Sequence, residues 1–147
     1  MSFIMNAALP PLLHAALSKI TTPAYVADIG VLKRNMATAA HIRAATGCRI
    51  LLAMKAFAMP ALFPLMRLFL DGTTASGLFE ARLGKEEFGK EVHVYAPAYT
   101  ESTLHELLQI ADHIYFNSAM QIQRFLPIVR AAGADKKVGI RIYPGYS

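Results

Sequence analysis

The chain is short of most features that would mark a secreted, zinc-clustered or nucleotide-binding protein. It has one cysteine, Cys48, in 147 residues. No disulfide can form within it, and a lone thiol suits a reducing cytoplasm. Its histidines, His14, His41, His93, His105 and His113, show no short ligand spacing and have no cysteine cluster beside them. No metal site is therefore expected. Charge is scarce, at 17% of residues. Lys and Arg outnumber Asp and Glu by 15 to 10, but the basic residues are scattered. That is the pattern of solvated helix faces, so no nucleic-acid partner is expected. No GxGxxG or Walker pattern follows any apolar run. The N-terminus lacks a basic region and Pro10-Pro11 interrupts its apolar stretch, which argues against a signal peptide. The most membrane-like stretch, Ile50 to Leu70, contains Lys55, Arg67, Pro60 and Pro64. Each central charge would cost about 2.5–3.5 kcal/mol to insert, so no membrane partner is expected either.

Apolar residues are abundant, at 54%. A chain of this length is one ordinary domain and can bury a sizeable core. The apolar share exceeds that of a typical free-standing domain, which hints at surface meant to be covered. Short apolar runs begin at Ala24, Ile50, Gly72, Val92, His113 and Val138, 20 to 26 residues apart. That spacing is one strand plus one helix. Between them, Leu32, Met36 and Ala40 line a helix that stops at Gly47. Pro60 suits the first turn of the next helix, with Leu62, Phe63, Met66 and Phe69 on its apolar side. Leu104, Leu107 and Leu108 mark another helix after Ser102. Ser118 and Gln121 read as a capping box for a helix ending at Gly133, which Pro127 should kink.

Strand and helix alternating at this spacing predict an α/β fold with a parallel sheet. The runs at Ile50 and Val138 read as strands covered on both faces. A doubly wound open sheet and part of a (β/α)8 barrel both satisfy the pattern. A closed barrel needs about 200–250 residues, so a barrel here is incomplete. Residues 1–20 have no place in the rhythm and read as an N-terminal extension before a domain over 21–147.

Lys55 ends the apolar run Ile50-Leu51-Leu52-Ala53-Met54. Burial there would lower its pKa and make the ammonium a usable amine, the state needed to attack a carbonyl or pyridoxal phosphate. The alternative is a lysine that snorkels to water at a strand end. In a strand over residues 50–55, Leu51, Ala53 and Lys55 share a face, with Ala53 leaving space beneath the lysine. The C-terminal end of a parallel strand is where both candidate folds place their chemistry.

A series of motifs extends from this lysine. Thr22-Pro23-Ala24-Tyr25-Val26 and Leu52-Ala53-Met54-Lys55-Ala56-Phe57-Ala58 come first. Phe63-Pro64-Leu65-Met66-Arg67, Asp71-Gly72-Thr73-Thr74-Ala75-Ser76 and Glu80-Ala81-Arg82-Leu83-Gly84 follow. Phe88-Gly89-Lys90-Glu91, His93-Val94-Tyr95 and Phe116-Asn117-Ser118 complete it. This series resembles the fold-type III pyridoxal-phosphate enzymes, the alanine racemase and ornithine decarboxylase group. Within that group it is most similar to the carboxynorspermidine/carboxyspermidine decarboxylases. The likeness covers nearly everything from Thr22 to Ser147.

The resemblance implies a partial (β/α)8 TIM barrel of about five barrel strands, plus an N-terminal strand over Ala24–Ile29 belonging to a β-domain. It implies a cytoplasmic homodimer with active sites at the subunit interface, and the cofactor pyridoxal 5′-phosphate. It also implies decarboxylation of a carboxylated polyamine, yielding norspermidine or spermidine. Lys55 would hold the cofactor and serve in catalysis, and Ser76 and Arg141 would approach the cofactor. A diaminopimelate-type decarboxylase, or an inactive remnant, is the alternative.

Ser76 reads equally as a helix N-cap. Arg141, isolated in an apolar strand, needs a partner. Glu80 reads as a surface residue pairing with Arg82 or Lys85, His93 as a packed histidine, and Asp112-His113 as a helix-to-strand turn. Thr73 stands where many relatives carry aspartate, and Tyr143 where an Arg-x-Asn-Pro-Gly motif has asparagine. Few acidic residues are available to recognise a polyamine. The family's ring-stacking histidine, glycine-rich phosphate loop and late cysteine-aspartate pair fall outside these residues. The 147-residue chain alone is therefore expected to be inactive.

Overall fold

The computed structural model describes residues 15, 17–133 and 136–146. Most of the expected N-terminal extension, including Pro10, Pro11 and His14, lies outside the described residues, as does Ser147. The chain divides into two units, residues 1–32 and 33–147.

In the first unit, residues 24–28 form no strand. A strand exists only where another satisfies its N–H and C=O groups, and none pairs with this segment among the described residues. Asp28 instead starts a helix. Its Oδ1 accepts from the Val31 N–H at 3.0 Å and its carbonyl from the Leu32 N–H. That helix, α1, runs Ile29–Thr46 and stops at Gly47, whose φ of +69° is left-handed.

The second unit is a parallel sheet of β1 (Leu51–Ala53), β2 (Gly72–Ala75), β3 (Glu91–Tyr95), β4 (His113–Phe116) and β5 (Lys137–Ile140). The strands lie side by side in chain order. All four pairings are parallel. A doubly wound sheet reverses its strand order at a switch point, and this one never does. The sheet is singly wound, the arrangement of part of a (β/α)8 barrel. The connections are a 3-10 turn (Pro60–Leu62) with the short α2 (Phe63–Met66), α3 (Leu78–Leu83) with a π-helical turn (Gly84–Phe88), α4 (Glu101–Ile110) and α5 (Ala119–Ala131).

Alternation gives each inner strand two characters. Val92 and Val94, and Ile114 and Phe116, are buried beneath the helices with Leu104, Leu107, Leu108 and Phe125. Each such aliphatic or aromatic side chain contributes about 1.5–3 kcal/mol by leaving water. On the opposite face Glu91, His93, Tyr95, His113 and Tyr115 are only partly buried. The edge strands differ from expectation. Val138 and Ile140 are exposed, because among the described residues β5 has a neighbouring strand on one side only. β1 stops at Ala53, whose carbonyl accepts from the N–H groups of Ala56 and Phe57 and so bends the chain into a turn.

The helix ends are mostly where side-chain chemistry puts them. Thr100 caps α4 through the Thr103 N–H at 3.1 Å, two residues ahead of the expected Ser102. Ser118 caps α5 through the Gln121 N–H at 3.2 Å, and Gln121 Oε1 reaches back to the Asn117 N–H at 2.8 Å. Pro127 lies inside α5 as anticipated. At the opposite end of the sheet, Arg43 of α1 donates to the Phe69 carbonyl and to Asp71, and Asp71 accepts from the Ile50 N–H.

Close approach between the π-helical turn and β2 depends on Gly84. A Cβ there would lie 2.4 Å from Thr73 Oγ1, with Thr73 fully buried. Gly84→Ala is expected to destabilise the fold by about 1–3 kcal/mol in urea unfolding. Thr73→Ala, which removes the obstructing hydroxyl, should restore part of that loss in the double variant. Unchanged stability of the single variant would show that this contact is not tight.

Candidate active site at the C-terminal ends of the strands

Lys55 is not buried. Met54, 2% exposed, occupies the interior position, and Lys55 follows it in the turn after β1, in the open. The expectation of an amine embedded in apolar surroundings is therefore corrected. The apolar run turns its methionine inward, and the strand ends before the lysine. The position is nevertheless distinctive. Lys55 lines a cavity of about 100 Å³ with Ala53, Thr74, Ala75, Ser76 and Tyr95. Ala53 is the small residue beneath the lysine.

Ser76 shares this cavity and is not a helix N-cap. Gly77 holds the cap position of α3. The Ser76 N–H donates to Glu80 Oε2 at 2.6 Å. Glu80 thus closes the β2–α3 turn instead of pairing with Arg82 or Lys85, and Arg82 pairs with Glu106.

Arg141 follows β5, held by its N–H to the Phe116 carbonyl at 2.9 Å. No carboxylate pairs with it among the described residues. Its partner is aromatic: the guanidinium carbon sits 4.8 Å from the centroid of the Tyr95 ring. Tyr95 was not singled out from sequence as a site residue. It nonetheless connects the predicted ones, lining the cavity with Lys55 and Ser76 and carrying Arg141 on its face. Its hydroxyl donates to Asn117 Oδ1 at 2.7 Å. The available signal was alternation in β3, which puts Tyr95 on the face of His93 at the strand's C-terminal end.

The loop after β3 is tied down by buried Tyr99. Its hydroxyl accepts from the Ala96 N–H and donates to the Tyr115 carbonyl, both at 2.9 Å. Burial pushes this phenol's pKa up.

Nearer the N-terminal ends of the strands, the register sets His93 beside His113. Their rings stack at 3.8 Å with 9° between planes. With Glu91 they bring three potential ligand atoms within 4.8 Å of one another. Short-range spacing in the sequence could not show this, because the histidines meet across a strand pair. A metal must lie near the plane of each imidazole it binds, and the planes of stacked rings do not converge. The trio as arranged is a packed, hydrogen-bonded layer. His93 approaches Tyr115 Oη at 3.3 Å and Glu91 Oε2 at 3.4 Å, while His113 Nε2 is buried without a partner. Asp112, in the expected turn, accepts from the Val92 N–H at 2.8 Å. Gly139 admits the Tyr115 ring, since a Cβ there would come within 2.5 Å of it.

Against this geometry, the comparisons with known proteins are specific. No protein-family model matches the chain. It is 39% identical over 128 residues to a carboxynorspermidine/carboxyspermidine decarboxylase of Herminiimonas arsenicoxydans, covering 87% of this chain and 34% of that protein. It is 40% identical over 131 residues to a carboxyaminopropylagmatine decarboxylase of Synechocystis sp., covering 89% and 33%. The structure is similar to that of carboxynorspermidine decarboxylase from Campylobacter jejuni, solved in complex with norspermidine. The TM-score is 0.74 at 34% identity, covering 82% of this chain and 31% of that one. The chain is thus similar to these decarboxylases over most of its own length. It spans about a third of the length of the curated relatives it matches. No helix among the described residues is long and apolar enough to cross a membrane.

The layer beneath the cavity makes stability pH-dependent in two windows. A hydrogen bond from Arg49 lowers the Glu91 pKa from 4.5 to about 2. The unfolded chain therefore takes up this proton first, and stability is lost as pH falls from about 4.5 towards 2. Burial, aided by neighbouring His93, lowers the His113 pKa below 6.5. Stability should already decline as pH falls through about 6.5, for the same reason. Melting temperature followed from about pH 7 downward should show both losses. Glu91→Gln should remove the more acidic loss and deepen the other, because the Glu91 charge opposes the lowering of the His113 pKa. A melting temperature insensitive to pH across both windows would overturn the assignment.

Proposed function

We propose that this chain is the lysine-bearing portion of a pyridoxal-phosphate-dependent carboxy-lyase. The reaction is removal of carbon dioxide from carboxynorspermidine or carboxyspermidine, yielding the polyamine. One observation carries the reading. In a chain 39% identical to such a decarboxylase, Lys55 and Ser76 line one cavity, and Tyr95 in that cavity also carries Arg141. Carboxyaminopropylagmatine is the second candidate substrate, favoured by 40% identity to its decarboxylase. Both are carboxylated polyamines, so the reaction class is the same.

The donor set fits pyridoxal 5′-phosphate. The Lys55 amine matches the cofactor's aldehyde, and the Ser76 hydroxyl and Arg141 guanidinium match its oxygens. When bound, the cofactor supplies a pyridinium ring that takes up the electrons released as carbon dioxide leaves. Lys55 would hold the cofactor through its amine, and that same amine would serve to carry a proton to the reacting carbon. Ala53 leaves room beside that amine. Arg141 would hold an oxygen of the cofactor with its planar guanidinium fork.

Several carboxylates that might attract substrate ammonium groups are already engaged. Glu80 takes the Ser76 N–H, Asp71 takes Arg43, and Glu101 takes Arg124. Recognition of a polyamine therefore calls for acidic groups from elsewhere in the enzyme. So does isolation of the exposed lysine from water. A cytoplasmic homodimer with active sites at the subunit interface answers both needs, with no membrane or nucleic-acid partner.

Borohydride reduction of the full-length protein loaded with cofactor should trap pyridoxal on Lys55, and Lys55→Ala should abolish the adduct. Labelling of another lysine would sink the assignment. The 147-residue chain alone should release no carbon dioxide from either substrate, and sustained release would refute the view that it carries only part of the site.

A further inference from the structure

We infer that Tyr95 is a positioning residue for Arg141: a fixed aromatic platform, itself part of the lining of the Lys55 cavity, that holds the guanidinium on its ring face. The inference deepens the proposed function and rests on Arg141 being a cofactor ligand, but its first measurement does not depend on that role.

Arg141 is exposed, follows an edge strand, and has no carboxylate partner among the described residues. A free arginine side chain has many rotamers, and ordering it opposes ligand capture. The Tyr95 face, 4.8 Å from the guanidinium carbon, selects among them. A guanidinium stacks on an aromatic face without using its edge, so its in-plane N–H donors stay free for an anionic ligand.

A platform must itself be fixed, and Tyr95 is fixed along its length. Its backbone lies in β3 between β2 and β4. Its hydroxyl donates to Asn117 Oδ1 at 2.7 Å. Asn117 is held in turn, since its N–H donates to Gln121 Oε1 at 2.8 Å and Gln121 Nε2 donates to the Pro97 carbonyl at 2.7 Å. The loops after β3 and β4 are thus linked to each other and to the ring that carries Arg141. The same ring lines the cavity with Lys55 and Ser76. One residue therefore takes part both in the lining of the cavity and in the seating of the guanidinium.

The first measurement is the NMR signal of the Arg141 guanidinium in the cofactor-free, full-length protein. A ring-current shift is expected in the parent and in Tyr95→Phe, which keeps the ring face. It should be lost in Tyr95→Leu. An unshifted signal in the parent would overturn the platform. The second is the dissociation constant for pyridoxal 5′-phosphate, read by absorbance titration. Tyr95→Leu should weaken binding roughly two- to fivefold, the range expected for an exposed cation–π contact. Tyr95→Phe should restore most of it.

Arg141→Lys keeps the charge but loses the planar stack, and it should match Tyr95→Leu. Combining the two should add nothing further. Additive losses would show that the residues act separately and would reject the inference. Arg141→Lys also decides the matter if Tyr95→Leu does not fold, because Arg141 is exposed: parental affinity in that variant would count against the platform. A platform confirmed by NMR with no change in cofactor affinity would refute the role assigned here, while leaving Lys55 to be judged by borohydride trapping.

Discussion

Everything in the second unit depends on parallel strand register. Because β1 to β5 pair in chain order, one residue per strand stands at each level: Ala53, Thr74, His93, His113 and Lys137 share one. A slip of one residue would exchange the two faces of a strand. It would send Val92 and Val94 into the polar layer and His93 into the helix interface. The apolar face enforces the register, because only one alignment keeps Phe116, Ile114 and the valines together beneath α4 and α5.

The polar face is a consequence of that enforcement. With one set of side chains committed to the helices, the other set forms two layers. The layer towards the N-terminal ends holds Glu91, His93 and His113, and Glu91 is anchored by Arg49. Towards the C-terminal ends lie the residues proposed to carry the chemistry: Lys55, Ser76 and Tyr95 about one cavity, with Arg141 on the Tyr95 ring. Small residues separate their side chains, and the loops that present them are braced by Tyr99 and Gln121. The lysine lies at the edge of the described sheet, beside its first strand. That edge position explains both its accessibility and the need for other parts of the enzyme to shield it.

Much of this was legible in the sequence. The runs at Ile50, Gly72, Val92, His113 and Val138 are all strands, and the caps at Gly47 and Ser118 are where their chemistry predicts. Local signals of this kind survive because they are satisfied within a few residues. Ala24–Ile29 forms no strand among the described residues, where the β-domain expected to pair with it is not present, and Asp28 starts a helix by local hydrogen bonds alone. Lys55 was legible in position and not in environment. Apolar neighbours in sequence do not imply burial when the chain turns directly after Met54. Ser76 and Glu80 exchanged their expected uses for the same kind of reason: a backbone N–H in the turn competes for the carboxylate more effectively than a nearby solvated cation.

The sequence by itself determined the strand and helix rhythm, the two faces of each inner strand, and the caps at Gly47 and Ser118. Those follow from short-range periodicity and from the chemistry of single residues. Only the tertiary structure decided between a singly and a doubly wound sheet, because strand order is a long-range property that periodicity does not encode. It alone stacked His93 on His113 and set Arg141 on Tyr95, pairs 20 and 46 residues apart. Contacts of that span exist only once the intervening strands have registered. For that reason the partner of Arg141 proved to be an aromatic face that no nearby residue in the chain announced.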